Sequence, residues 1–462
     1  MFKQTTALLL LRLILLNVCD CDEFSAGENV ARWTFGTAGN TADKVNNSLN
    51  DIPVIIWWTE TIFPHLNVWE ELKCPNSICY STQNKDFVRH PQTTAFYFYG
   101  TDFNPKTLPL PRLQKHLWAL AHEESPLNNF ILDHAVGMNV FNYTATYHRA
   151  ADFPITTMSF PGIEFILNRA PVSVAQKNEF QKQNDFAPVM YVQSHCEVPS
   201  DRDRYVEELM QYIKIDSYGK CLHNKDLPLE LVNPVENMFD DRFKDLIAKY
   251  KFVLSFENGF CDDYMTEKLF RPLHVGSVPV YRGSRLAKEF MPDNNSVIMT
   301  DDFASPKDLA AFLHKLNQDD GEYEKFLNFK KTKKITNQSL LDHLARRPWR
   351  FTNNDQDYGP FFEGFECFVC DRATEVYRNN KARQLDATIP LIPPKLTDGR
   401  KFACPAPELY KKPEKRDWWF QYDYTEQYWQ GLDKARAMRD MLKANESDSN
   451  QFPKYLAKYG RK

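Results

Sequence analysis

The sequence predicts an α/β protein in which two Rossmann-like domains face each other across a cleft and a C-terminal extension follows. Two observations predict this fold class. Short apolar runs, rich in β-branched and aromatic residues, alternate with helical or polar stretches from residue 52 onward. The same alternation restarts near Ala187. The 462 residues are enough for two or three domains, and ligands of paired α/β domains bind outside the carboxyl ends of the strands.

Strands of the first domain are predicted where apolar residues follow one another without a polar alternation. This pattern is typical of parallel strands that are covered on both faces. The predicted strands are Ile52–Trp58, Thr94–Tyr99, His116–Ala121 and Phe141–Tyr147.

The second half repeats the strand–helix alternation. Its predicted strands are Pro188–Gln193, Ile215–Gly219, Phe252–Phe256 and Ser277–Tyr281, and its predicted helices are Asp201–Lys214, Arg242–Lys251, Thr266–Val275 and Leu309–Leu316. Ser200 and Thr266 are the predicted N-caps of the first and third helices, because a hydroxyl there accepts a backbone N–H bond.

The predicted domain bounds follow from these elements and from changes in composition. They are a signal peptide or signal anchor at 1–21, a stem at 22–50, an N-terminal domain at 51–180, a C-terminal domain at 181–350 and an extension at 351–462. Within the extension, Pro-rich Ile389–Lys395 predicts an extended arm. The aromatic segment Trp418–Trp429 predicts a tail packed on the main body, with an acceptor-binding platform as the alternative.

The N-terminal segment predicts a secretory protein. Ala7–Val18 is apolar but shorter than the roughly 20 residues of a membrane span, so it fits a signal peptide or signal anchor. The rest of the chain is then expected in the lumen of the endoplasmic reticulum or Golgi, either released or held as a single-pass type II membrane protein. Sequons that agree with this compartment occur at Asn46, Asn142, Asn294, Asn337 and Asn445.

Cysteine content supports the same compartment. Ten cysteines are present, and the eight that lie beyond the targeting segment predict disulfides. Cys74–Cys79 and Cys367–Cys370 are the expected local pairs, although spacing alone does not fix the connectivity. A zinc site at Cys367 and Cys370 is the disfavoured alternative, because no second CxxC and no His pair lies nearby.

Charge excludes one class of partner. The net charge is −4 and no basic stripe occurs, so we expect no nucleic-acid partner.

The segment from Leu254 to Leu269 is the candidate anion site. A buried strand runs into an Asn258-Gly259 turn, and a helix then begins near Thr266. A helix N-terminus after a strand binds phosphate readily. The polar groups expected to contact a nucleotide there are Asn258, Tyr264, Glu267 and Lys268, with a solvated Glu267–Lys268 pair as the plain alternative.

These residues also carry a resemblance to a known family. Phe256-Glu-Asn258, Asp263–Leu269 and Gly276–Val280 resemble the signature of the α1,3-fucosyltransferases, glycosyltransferase family 10. The resemblance covers about Asp51 to Asp371.

Three further segments narrow the resemblance to one branch. Tyr264–His274, Val280–Ser284 and Glu366–Cys370 resemble the divergent branch of α1,3-fucosyltransferases 10 and 11, which is associated with protein O-fucosylation.

The resemblance implies a GT-B architecture that transfers fucose from GDP-β-L-fucose with inversion. The acceptor would bind the N-terminal domain and GDP-fucose the C-terminal domain. Asn258, Tyr264, Glu267 and Lys268 match the donor-binding motif. Arg202 matches the arginine that neutralises the diphosphate, with Arg204 as the alternative.

Glu124 matches the catalytic carboxylate of the family, which would take the proton of the acceptor hydroxyl. Glu123 is the second choice, and a surface acidic pair is the plain alternative.

No cofactor and no obligatory metal are expected. The loose metal pattern Asp-x-Asp occurs at Asp201–Asp203 and Asp355–Asp357, but Arg202 and Lys268 can stabilise the leaving diphosphate themselves. Two departures from the family pattern bear on donor affinity: His195 follows Ser194 where the family often has Asn, and Gly259 replaces a usual Ser.

The acceptor has two candidates. One is Ser or Thr of disulfide-rich, EMI-type protein domains, which the branch resemblance favours, and the other is GlcNAc of N-glycans. Alternatives of other classes are an inactive lectin-like or chaperone-like protein and a transferase that uses UDP-sugars. The presence of Glu124, Arg202, Glu267 and Lys268 favours an active enzyme.

Overall fold

The structure is a computed structural model that describes residues 51–232, 240–350, 361–411 and 423–460. The predicted signal segment and stem, Asn46, Asp355–Asp357 and the first half of the aromatic segment lie outside these ranges. No helix in the described ranges is both long and apolar enough to cross a membrane.

Strands and helices alternate through most of the described chain. The strands are β1 Val54–Trp57, β2 Trp69–Lys73, β3 Ile78–Thr82, β4 Thr93–Tyr99, β5 Leu117–His122, β6 Tyr143–Thr146, β7 Val189–Gln193, β8 Ile215–Gly219, β9 Phe252–Phe256, β10 Val278–Arg282 and β11 Ile298–Met299. The helices are α1 Ala135–Met138, α2 Ile163–Asn168, α3 Val174–Gln183, α4 Arg202–Leu209, α5 Asp241–Ala248, α6 Glu267–Val275, α7 Pro306–Gln318, α8 Asp320–Lys325, α9 Asn328–Thr332, α10 Gln338–Arg346, α11 Phe361–Leu385, α12 Tyr424–Lys443 and α13 Phe452–Leu456.

Two separate sheets confirm the predicted fold class. The first has the order β2-β3-β1-β4-β5-β6 and the second has the order β11-β10-β9-β7-β8. Pairing is parallel throughout except between β2 and β3. Each sheet is therefore of the Rossmann-like type, and the carboxyl ends of its parallel strands share one edge.

The first sheet is covered on both faces, which explains its uninterrupted apolar strands. On one face Ile55 and Trp57 pack with residues of α11. On the other face Val54 and Ile56 pack with residues of α12. The extension beyond residue 361 thus completes the core of the N-terminal sheet.

The core of the second sheet includes residues that precede it in the chain. Ile166 and Leu167 of α2 and Val174 of α3 are buried in the same cluster as Val189 of β7. Both helices begin before residue 181, where the sequence places the start of the C-terminal domain.

The predicted local disulfides are wrong. The pairs are Cys74–Cys367, Cys79–Cys370, Cys196–Cys221 and Cys261–Cys404. Because residues 367 and 370 lie three apart on α11, both side chains are on the same helical face and reach the β2–β3 hairpin instead of each other. The zinc alternative fails for the same reason, since both thiols are oxidised.

The predicted cap of α4 is also wrong. The helix begins at Arg202 with Asp201 as its N-cap in a left-handed conformation, and it ends at Leu209. Ser200 instead donates its hydroxyl to the carbonyl of Glu257 at 2.8 Å. The predicted N-cap of α6 is confirmed, because the Thr266 side chain accepts the N–H of Lys268.

Candidate active site

The loop between β9 and α6, residues 257–266, carries part of the predicted donor-binding motif, and we call it the donor loop. One buried carboxylate organises it. Glu257 is fully buried and accepts hydrogen bonds from the N–H of Thr266 at 2.8 Å and from its hydroxyl at 2.9 Å. Burial raises the pKa of Glu257 to about 6, although the charge of Lys268 acts to lower it. The sequence alone assigns Glu257 no role. The sequence feature that could have identified it is a glutamate that directly follows a buried strand and lies nine residues before a helix N-cap.

Glu267 and Lys268 form the ion pair at the start of α6. Their Oε1 and Nζ atoms are 3.2 Å apart, and both side chains are about three-quarters buried. Burial acts to raise the pKa of Glu267, but the charges of Lys268 and Arg271 outweigh it and hold that pKa at about 2. Burial acts to lower the pKa of Lys268, but the carboxylates of Glu267 and Glu257 outweigh it and raise that pKa. Both groups are therefore charged at neutral pH.

Arg202 lies beside the same strand end. Its guanidinium donates to the carbonyl of Phe256 at 2.9 Å and to that of His195 at 2.7 Å. The Nε of Arg202 and the Oδ1 of Asn258 are buried and have no hydrogen-bond partner among the described residues. Buried polar atoms without a protein partner are rare, so these two indicate a site for a polar ligand.

Arg204, the alternative to Arg202, is engaged elsewhere. Its Nε is 3.4 Å from Asp201 Oδ1, and its Nη1 donates toward the carbonyl of Lys411 at 3.5 Å. Of the two arginines, Arg202 is therefore the one beside the donor loop.

Glu124 of the first domain contacts the donor loop of the second. Tyr264 is 1% exposed, and its hydroxyl donates to Glu124 Oε2 at 3.0 Å. This contact joins the carboxyl end of β5 in the first sheet to the loop after β9 in the second. The structure thus brings together Glu124 and Tyr264, which are 140 residues apart in the chain.

Glu123 has a different environment. Its Oε1 accepts the hydroxyl of Tyr99 at 2.9 Å, and its Oε2 is buried without a partner in the described part of the chain. Burial, together with the charge of Glu124, raises the pKa of Glu123 to about 8. Burial therefore favours the protonated form of Glu123, which cannot take the proton of an acceptor hydroxyl.

Three further contacts fasten the donor loop to the first sheet and the extension. Arg149 donates to both oxygens of buried Asp263, at 2.6 to 2.9 Å. Cys261 is bonded to Cys404 of the extension. A Cβ at Gly259 would lie 2.8 Å from Leu127, so the two domains approach closely there.

The acidic residues of the Asp201–Asp203 pattern are committed to local bonds. Asp201 Oδ2 accepts the N–H of Tyr410 at 2.9 Å, and Asp203 Oδ1 accepts the hydroxyl of Tyr191 at 2.6 Å. Within the described ranges, the one His, Cys, Asp and Glu group with metal-like spacing is Cys196, Asp203 and Cys221. Its two cysteines form a disulfide with each other, so they offer no thiolate.

Comparisons with known proteins match most of the chain. The family profile described as "Glycosyltransferase family 10 (fucosyltransferase) C-term" matches residues 181–375, and the profile "Fucosyltransferase, N-terminal" matches residues 50–157. Proteins named "GDP-fucose protein O-fucosyltransferase 3" are similar over nearly the whole chain. The Mus musculus protein is 41% identical over 89% of this chain and 84% of its own length. The Danio rerio protein is 42% identical over 87% of this chain and 85% of its own length. The Homo sapiens protein is 40% identical over 87% of this chain and 82% of its own length.

Solved structures give a weaker likeness. A crystal structure of an α1,3-fucosyltransferase with GDP-fucose has 14% identity and a TM-score of 0.36, covering 71% of this chain and 90% of that one. A structure of an α1,3-fucosyltransferase with GDP has 16% identity and a TM-score of 0.37, covering 72% and 94%.

Proposed function

This chain belongs to glycosyltransferase family 10, the fucosyltransferases, and we propose that it moves L-fucose from GDP-β-L-fucose to Ser or Thr of a folded protein domain. The relatives named GDP-fucose protein O-fucosyltransferase 3 support both the donor and a protein acceptor. The branch resemblance supports a disulfide-rich domain of the EMI type as that acceptor.

The observation that carries the proposal is the contact between Glu124 and Tyr264 across the cleft. In the proposed reaction the Glu124 carboxylate takes the proton of the acceptor hydroxyl. The freed oxygen forms a bond to C1 of fucose from the face opposite the diphosphate, so the configuration inverts. The bond from C1 to the phosphate oxygen breaks, and GDP leaves with that electron pair.

Two cations support the departure of GDP in this proposal. Lys268, at the start of α6, and Arg202, beside the same strand end, face the developing negative charge. Because these side chains supply fixed positive charge, we propose that no divalent metal is obligatory. Donor turnover that persists in excess chelator is the expected result, and its complete loss with recovery on adding Mg²⁺ or Mn²⁺ would contradict it.

We also propose a lumenal location, in the endoplasmic reticulum or Golgi. Four disulfides between described cysteines support an oxidising compartment. Residues 1–21 would act as a signal peptide or as a type II anchor. Confocal imaging of the full chain with a C-terminal tag tests this, and a cytosolic signal would contradict it.

The first experiment measures intact mass of two acceptors after incubation with GDP-fucose and purified residues 22–462. One acceptor is a folded, unglycosylated EMI-type domain, and the other is a GlcNAc-terminated glycopeptide. Gain of a deoxyhexose by the bare domain is expected. Glu124→Gln should lower its rate by about 10²- to 10⁴-fold, because the base is lost.

Glu164→Gln, at an exposed carboxylate in the first turn of α2, is the matched control and should keep full activity. If only the glycopeptide gains a deoxyhexose, the acceptor is a glycan and not a protein side chain. No gain on either acceptor and no release of GDP would identify an inactive binder on this fold. Turnover that UDP inhibits and GDP does not would point to a different donor.

A further inference from the structure

Arg282, the last residue of β10, carries a charge that the described protein does not neutralise by contact. Its guanidinium carbon lies 4.7 Å from the ring centre of Tyr205, 4.8 Å from that of Phe260 and 5.7 Å from that of Tyr410. No described residue hydrogen-bonds to the side chain or forms an ion pair with it, and its Nε is buried. The three rings attract the cation but offer no acceptor for its five N–H groups.

Such an arrangement is costly unless a ligand completes it. The side chain of Arg282 is partly buried and loses part of its hydration, and burial lowers its pKa. Asp301 and Asp201 also act on the guanidinium, but through longer-range charge interactions only. An anionic ligand at the free N–H groups would restore both the charge balance and the hydrogen bonds.

The strand register places Arg282 at the donor loop. Arg282 is paired with Phe256 of β9, and its carbonyl accepts the N–H of Glu257 at 2.9 Å. Arg202 donates to the carbonyl of the same Phe256. Tyr205, which lies under the Arg282 guanidinium, is three residues after Arg202 on α4, and so on the same helical face. Two guanidinium groups therefore flank one strand end.

Tyr410 links this cluster to the C-terminal extension. Its ring centre is 5.0 Å from that of Tyr205, and its N–H donates to Asp201 Oδ2 at 2.9 Å. The extension thus supplies one wall of the aromatic cluster around Arg282.

We propose that Arg282 binds the diphosphate of the sugar nucleotide, as a third donor cation beside Arg202 and Lys268, and that Tyr410 holds it in position. This inference rests on the proposed function. Planar guanidinium groups bind phosphate oxygens with two parallel N–H bonds, which an ammonium group cannot do. The extension then contributes to donor binding as well as to the core of the first sheet.

The test measures dissociation constants by calorimetry for GDP, inorganic pyrophosphate and guanosine. Arg282→Gln should weaken the binding of GDP and pyrophosphate by about tenfold to a hundredfold, because a charge-assisted bond to phosphate is lost. The affinity for guanosine should not change. The GDP affinity of Arg282→Lys should lie between those of wild type and Arg282→Gln. Tyr410→Ala should weaken GDP binding by a smaller factor than Arg282→Gln does. Arg242→Gln is the matched control, since Arg242 is exposed and pairs with Asp240.

Three outcomes overturn the inference. GDP affinity within twofold of wild type in folded Arg282→Gln would make the cation structural. An equal loss for guanosine and GDP would place Arg282 at the base or in the fold. If Arg282→Gln does not fold, unchanged GDP affinity in Arg282→Lys and Tyr410→Ala has the same meaning. Wild-type protein that fails to bind GDP would overturn the proposed function itself, which separates the two failures.

Discussion

Gly259 lies where the donor loop touches the first domain, and its lack of a side chain has a steric reason. A Cβ there would lie 2.8 Å from Leu127 Cδ1 and 2.8 Å from Ser125 Oγ, both of which are buried. The family resemblance places a serine at this position. The departure therefore follows from the close approach of the residues after Glu124.

Restoring that serine should damage the contact. Gly259→Ser is expected to destabilise the protein by about 1–3 kcal/mol, as overpacking does, and to weaken donor binding by shifting Asn258. Thermal unfolding and GDP titration measure the two effects. Gly321→Ala is the control, because a Cβ there meets only Asp319 Oδ1, at an ordinary 3.4 Å. Equal melting temperatures for wild type and Gly259→Ser would show that the interface has room to adjust.

His65 provides a residue-scale prediction about pH. Its Nε2 lies 2.8 Å from Oε2 of Glu366, which is fully buried. Burial acts to lower the pKa of His65, but the hydrogen bond and charge of Glu366 outweigh it and raise that pKa. Because the folded-state pKa is raised, the ion pair contributes its full stabilisation below the unfolded-state pKa of about 6.5. That stabilisation is lost as the pH rises through the folded-state pKa.

His65→Gln should therefore reduce the free energy of unfolding more at about pH 5.5 than at about pH 8. Denaturant titrations at both pH values give this difference. His314→Gln, at an exposed ring that bonds the carbonyl of Tyr212, is the control. If the loss in free energy of unfolding caused by His65→Gln grows toward high pH, the stabilising ion pair between His65 and Glu366 is contradicted.

At the scale of elements, disulfides, hydrogen bonds and packing all hold helix α11 on the first sheet. Two disulfides fasten it to the β2–β3 hairpin. Glu366 of this helix accepts a hydrogen bond from the indole of Trp57 at 2.5 Å and another from Ser81. Its Phe365 and Val369 are buried among residues of β1 and β4.

Removing both long-range bridges, by replacing Cys74, Cys79, Cys367 and Cys370 with Ser, should destabilise the first sheet strongly. The expected cost is about 2–5 kcal/mol per bridge. Hydrogen exchange of β1 and β4 reports the loss. Replacing Cys196 and Cys221 is the control, because that bridge closes only 25 residues and lies in the other domain. Equal protection of β1 and β4 in both variants would mean that packing alone holds α11.

The way in which each element is buried explains whether the sequence predicts it. The strand at Phe252–Phe256 is predicted to the residue, because four of its five residues are apolar and all five are buried. The hairpin β2–β3 was missed, since Trp-Glu-Glu-Leu-Lys is a half-exposed edge strand with few apolar residues. Helix α11 was missed because its buried residues all lie between Phe361 and Thr374 and the rest of the helix is mainly polar.

The whole molecule is closed by contacts between the donor loop and the N-terminal half of the chain. Arg149, in the segment after β6, makes a bidentate pair with Asp263 and a second pair with Glu289 at 2.7 Å. The Asp263 side chain is fully buried, whereas the Arg149 side chain is 42% exposed. The exposed partner is screened by water, so the pair is worth less than a fully buried one.

Arg149→Gln leaves a buried carboxylate without its cation and should loosen the two domains, at a cost of about 1–3 kcal/mol. Faster hydrogen exchange between Glu257 and Thr266 and a larger radius of gyration are the expected signs. Arg169→Gln is the matched control, because Arg169 also pairs with two carboxylates, Asp241 and Asp245. Identical scattering curves for wild type and Arg149→Gln would show that the remaining contacts suffice.

At this scale the candidate site was only partly predictable. Glu124 and Tyr264 were both singled out from the sequence, but only the structure shows that they touch. Glu123 and Glu124 are adjacent in sequence, and their contacts with Tyr99 and Tyr264 distinguish them. Arg282 lies in the branch segment Val280–Ser284, but the sequence alone assigns it no role, because its environment depends on which rings and charges the fold brings around it.

The pairing of α11 with the first sheet also sets an order of events during synthesis. The partner cysteines of residues 74 and 79 come 293 and 291 residues later. At about 5–20 residues per second, the ribosome needs roughly 15–60 s to supply them. During that time Cys74 and Cys79 are each other's nearest partners along the chain, and the sheet face around Trp57 is uncovered. We therefore expect maturation to be faster with a chaperone that shields this face and an isomerase that reopens a premature Cys74–Cys79 bridge.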